Sequence, residues 1–130
     1  MRLPRLSLLV VPVVIIAFPG CGTSRTLQAV TVSPATATSS AQFTATGIYN
    51  GKPTNVDITA TATTIWCVGS GDGVCIGNAI PGATVTAGMA TCVAGFTGTV
   101  TVLAGRSGPP AMPDSGAQLL PFGSAQLNCP

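Results

Sequence analysis

The chain has 130 residues, 6% of them charged and 46% hydrophobic, with no histidine. Arg25, Lys52 and Arg106 balance Asp57, Asp72 and Asp114 one for one, and the residual net charge of +2 comes from Arg2 and Arg5. This leaves no basic stripe for nucleic acid, no net charge to steer the chain onto anionic lipid, and no Ser–His or Cys–His nucleophile. Hydrophobicity is too high for a disordered chain. The prevalence of Thr, Ala, Gly, Val and Ser suits short strands and tight turns rather than helices.

In chain order, the first element is a targeting segment. Arg2 and Arg5 precede a run from Leu6 to Phe18 that is apolar except for Ser7 and contains Pro12. As a helix this run reaches roughly 20 Å, short of the ~30 Å hydrocarbon core, so it reads as a signal-peptide core. Phe18-Pro19-Gly20-Cys21-Gly22 follows. It resembles the lipobox of bacterial lipoproteins in its Gly-Cys pair and departs from it at Phe18 and Pro19. The resemblance implies that residues 1–20 are removed and that Cys21 becomes the lipid-bearing N-terminus, followed by a tether over 21–27. Gly22 in place of Asp implies the outer membrane in a cell with two membranes. Without the lipid, the expectation is a secreted chain.

The cysteines fit this reading. With Cys21 acylated, Cys67, Cys75, Cys92 and Cys129 form an even set, and an oxidising compartment favours their pairing. Four cysteines allow three connectivities, and sequence alone does not choose between them. The favoured pairing is Cys67–Cys75, across a Gly-rich loop able to bend back, with Cys92–Cys129 tying the last strand to an earlier one.

Strands are predicted from period-two alternation over Gln28–Ser33, with Pro34 ending the first and residues 35–40 connecting to the next. Gln42–Tyr49 places Phe43, Ala45, Gly47 and Tyr49 on one face, and Asn50-Gly51 is a turn signal. Lys52 to Asp57 reads as part of that connection. The end of 58–68 reads as a strand, as do Ala83–Thr86, Ala90–Ala94 and Thr99–Ala104. In the last of these, Val100, Val102 and Ala104 are expected inward, and Thr99, Thr101 and Leu103 outward. Residues 105–116 hold Pro109, Pro110 and Pro113 and read as a loop, and Ser124–Cys129 as the closing strand. About seven short antiparallel strands punctuated by turns predict an all-β immunoglobulin-like β-sandwich over 28–130.

Several stretches resemble bacterial Ig-like domains of group 2. These are Ala29 to Ala37, Gln42 to Tyr49, Asp57-Ile58-Thr59 followed by Trp66, Gly88 to Gly95, and Gly98 to Val102. They occur in the family's order. Domains of that family occur in surface proteins and adhesins. The resemblance therefore implies a cell-envelope interaction or adhesion module, contacting a protein or glycan and held to the membrane by its lipid. The alternative is a structural spacer or envelope-assembly subunit without a specific ligand.

Candidate sites for other chemistry are sparse. Trp66, the single Trp, reads as a core residue packed near a disulfide, a reading favoured by its neighbour Cys67, in preference to an exposed stacking platform. Gly69-Ser70-Gly71-Asp72-Gly73 reads as a turn, because it lacks the spacing and the lysine of a phosphate loop. Three scattered aspartates are too few for calcium and poorly placed for a glycosidase pair. Lys52 stands in a solvated turn. No cofactor or metal is expected, and the chain reads as non-enzymatic.

Overall fold

The computed structural model describes residues 24–76, 82–107 and 118–130. The described strands are β1 (Leu27–Ser33), β2 (Thr36–Thr38), β3 (Ser40–Gln42), β4 (Thr44–Tyr49), β5 (Asn55–Asp57), β6 (Ile65–Gly69), β7 (Ala83–Thr86), β8 (Met89–Cys92), β9 (Gly98–Ser107) and β10 (Leu119–Cys129). They build a two-layer, all-β sandwich. One layer holds β1-β4-β5 and β3-β8-β7. These two groups join because β3 and β4 are successive lengths of one extended segment on either side of Phe43, whose N–H donates to Gly88 O at 2.7 Å. The other layer runs β2-β10-β9-β6.

The alternation dictated by the sequence sets the core. Val30 and Val32 of β1, Phe43, Ala45 of β4 and Ala90 of β8 face Val100, Val102 and Ala104 of β9 and Ala125 and Leu127 of β10. Burying each large apolar side chain is worth about 1.5–3 kcal/mol. Small residues let the layers approach closely: a Cβ on Gly123 of β10 would lie 2.6 Å from Val30 O.

Three expectations need correction. First, residues 35–40 are not merely a connection. After Pro34 the chain crosses to the other layer, where β2 pairs parallel with β10 in the register Ala37↔Leu127. Ser39, at φ 63°, then turns the chain back. Its N–H donates to Asn128 O and its carbonyl accepts from Cys92 N–H, both at 2.9 Å, so one residue bonds to both layers. The sandwich is therefore not wholly antiparallel.

Second, β5 lies within the stretch read as connection and pairs with β4 (Val56↔Gly47). The Asn50-Gly51 turn closes a hairpin, with Tyr49 N–H donating to Thr54 O at 2.7 Å.

Third, Leu103 does project from the outer face of its sheet, but it is fully buried. The loop closed by Cys67 and Cys75 folds back over that face. With Leu119, Cys75 and the half-buried Ile65, Cys67 and Phe122, it encloses a second small core. β9 is thus covered on both faces. This cover also draws β9 on to Ser107 and starts β10 at Leu119, lengthening both strands beyond the predicted ones.

Neighbours on a strand face opposite ways. Trp66 packs half-buried on the main core, while Cys67 lines the outer one.

If Leu103 anchors this outer core, Leu103→Ala costs about 2–5 kcal/mol, as for a buried leucine. A solvent-facing leucine would change stability by no more than about 0.5 kcal/mol. Urea unfolding of the oxidised protein distinguishes the two.

Candidate functional site

The two disulfides pair Cys67 with Cys75 and Cys92 with Cys129. The first closes the outer-face loop. The second joins the end of β8 in one layer to the end of β10 in the other, beside the Ser39 crossover. Loop-closure entropy over sequence separations of 8 and 37 residues assigns them about 2.5 and 4 kcal/mol. They fit an oxidising, extracellular-type compartment. Among the described residues no helix is long and apolar enough to cross a membrane. The proposed lipid acceptor Cys21, residues 1–20 and Asp114 lie outside the described residues, as do positions 108–117 of the proline-rich stretch.

The loop from Gly69 to Gly73 is a turn. Gly73 N–H donates to Ser70 O at 3.1 Å, and Ser70 N–H to Val74 O at 3.0 Å. Gly73 has φ +83°, and a Cβ there would press into the Phe122 ring 2.5 Å away. Asp72 accepts from the Ser70 hydroxyl and from Val74 N–H, both through Oδ1, so that oxygen serves the turn.

The most connected polar cluster is Asp57-Ile58-Thr59. Asp57 Oδ1 accepts Thr59 N–H at 2.8 Å. Ile58 is buried, and its N–H donates to Ala45 O at 2.9 Å. The Thr59 hydroxyl accepts Ala45 N–H at 2.9 Å, and its carbonyl accepts the Trp66 indole N–H at 2.9 Å. Thr61 and Thr64 share a hydroxyl–hydroxyl bond of 2.7 Å. A few side chains thereby continue the β4–β5 ladder beyond the end of β5 and fix the Trp66 ring. Sequence reasoning missed the part played by Thr59. The usable signal was Asp followed two residues later by Thr, an Asx-turn pattern.

Beside this cluster lies an open cleft of about 320 Å³, lined by Thr59–Ala62, Thr64, Trp66, Val85, Thr86 and Ala87. Its lining mixes apolar side chains with threonines and holds no charged residue. Such a lining suits a neutral, partly polar ligand such as a sugar ring or an extended peptide. Trp66 is therefore both a core residue and one wall of a surface cleft.

A second cluster, also missed, stands at the start of the fold. The Arg25 guanidinium lies 4.7 Å from the centroid of the Tyr49 ring, and its Nη2 donates to Pro53 O at 2.6 Å. Arg106 Nη2 donates to the Tyr49 hydroxyl at 3.3 Å. Thr26 N–H donates to Asn50 Oδ1 at 2.9 Å. No sequence signal joins Arg25 to Arg106, because strand pairing across the fold brings them together.

The sequence candidates are otherwise dispersed. Asp57 is on β5 and Asp72 on the opposite layer's outer loop. Among the described residues no three His, Cys, Asp or Glu side chains cluster as metal ligands. Comparison of the chain with protein-family models, with curated proteins and with solved structures returned no match.

Two predictions follow from the Thr59 cluster. Thr59→Val keeps the shape but leaves Ala45 N–H without its acceptor. The expected cost is about 1–3 kcal/mol, with a red-shifted or broadened Trp66 emission in fluorescence-monitored unfolding. Hydrogen bonds from Thr59 hold Asp57 below the ordinary 3.8, and those from Ser70 and Val74 do the same for Asp72. A depressed carboxylate contributes stability above its unfolded value and loses it as pH falls through the folded value. Melting temperature should drop on acidification below about pH 4, and D57N and D72N should each flatten that drop.

Proposed function

We propose that the chain is an exported, lipid-anchored Ig-like domain of bacterial group 2 type, acting without catalysis as an interaction or adhesion module of the cell envelope. The observation that carries the reading is the cleft at Trp66, whose indole is fixed by Thr59 O on a doubly stapled scaffold. Thr59 and Trp66, both within the stretches of the family resemblance, line it, which supports assigning the contact surface there. A cleft with a preset indole binds at a smaller ordering cost. Lipid on Cys21 supplies the display, since several acyl chains hold stably where one is marginal.

A second reading, a spacer with no ligand, draws support from the sheet surfaces. Thr31, Thr84, Thr86, Thr91, Thr99 and Ser124 are exposed on the strands. Large exposed apolar side chains among the described residues are only Met89 and Leu120.

Two measurements test the proposal. Intact mass of the membrane-fraction protein, reduced and non-reduced, should show an acylated N-terminus at Cys21 and a four-hydrogen deficit for two disulfides. A free Cys21 or a later N-terminus removes the anchor. On glycan and surface-protein arrays, the protein should bind a ligand that Thr86→Ala, at an exposed position of the cleft lining, weakens while its melting temperature stays close to wild type. Absence of any ligand would leave the spacer.

A further inference from the structure

The chain's near-neutral balance conceals a polar arrangement. All three cations among the described residues stand at the end of the sandwich where the chain enters. Arg25 precedes β1 and lies over Tyr49 at the end of β4. Lys52 is exposed in the β4–β5 turn that Arg25 grips through Pro53 O. Arg106 reaches the same tyrosine from the end of β9. Leu120, 46% exposed, sits at that end too, next to Leu119, which pairs with Ser107. The described acids lie elsewhere. Asp57 is further along β5, opposite Thr46, and Asp72 is in the outer-face loop.

We infer that this end of the domain docks on the anionic headgroups of the bilayer that holds its own N-terminus. The inference rests on the lipid anchor proposed above. It corrects the expectation, drawn from net charge, that anionic lipid exerts no pull. Arg25 stands four positions after Cys21, a reach of at most about 14 Å. Arg25 and Lys52 are therefore held close to the headgroup layer, where their attraction to anionic lipid decays over a screening length of about 8 Å. Leu120 inserts alongside as the apolar contact. Docking turns the tethered end to the bilayer.

The test uses the lipidated protein purified from membranes and reconstituted into phosphatidylcholine vesicles, with or without about a third phosphatidylglycerol. Hydrogen exchange of the amides in 50–54 and 105–107 reads the docked fraction. Exchange should be slower in the anionic vesicles and return to the neutral-lipid rate in about 0.5 M salt. Lys52→Gln and Arg25→Gln should each lower the docked-to-undocked ratio about fivefold. Lys52→Gln, at an exposed turn, serves as the variant least disturbing to the fold. Equal exchange in both vesicle types, or protection indifferent to salt and to both variants, overturns the inference. Intact mass of the same sample reads the anchor separately. A chain without acyl mass on Cys21 sinks the anchor, and exchange on added vesicles then still decides whether the headgroup contact exists.

Discussion

The burial of β9 on both of its faces is the constraint from which the other features follow. Val100, Val102 and Ala104 require the layer formed by β1, β4 and β8 on one side. Leu103 requires cover on the other, and the loop between Cys67 and Cys75 is the only described segment brought over it. A strand covered on both sides at Leu103 commits the neighbouring chain to particular paths. The loop must double back tightly, which calls for the glycine at position 73. β10 must begin early enough to place Leu119 beneath it. β6 must present alternate residues to two different cores, which it does with Trp66 and Val68 on one side and Ile65 and Cys67 on the other.

Much of this was legible from alternation, and the misses have physical reasons. β1, β7 and the inner face of β9 carry apolar residues at every second position, so their strands and core faces could be read directly. Period two also gives the face of Leu103, but not what lies over it. That depends on a disulfide loop whose path is a tertiary matter. β2 is Thr-Ala-Thr and β5 is Asn-Val-Asp; neither has enough apolar content to announce itself, and each exists because a longer partner supplies the hydrogen bonds. The two clusters around Thr59 and Tyr49 rest on hydroxyl, carbonyl and guanidinium contacts between segments distant in sequence, where composition carries no signal.

The two clusters also divide the labour of the molecule. The Thr59 network spends its polar groups inward, finishing a ladder that the strands leave incomplete and setting the angle of one indole. The Tyr49 cluster gathers Arg25 and the half-buried Arg106 where the chain enters. A protein with few ionisable groups can still present a polarised face when pairing brings its described cations to one end. Net charge, a sum over the whole chain, is blind to that placement.

The parallel pairing of β2 with β10 has a mechanical consequence. A pull applied between the N-terminal side of the chain and its C-terminal end drags β2 toward its own start and β10 toward its own finish. For parallel neighbours these directions are opposed along the strand axis. The load therefore falls in shear across all the bonds of the pair together, rather than peeling them one at a time. The Cys92–Cys129 bond clamps the trailing end of the same pair to the other layer. A module held at one end and tugged at the other would thus meet force along its most resistant direction.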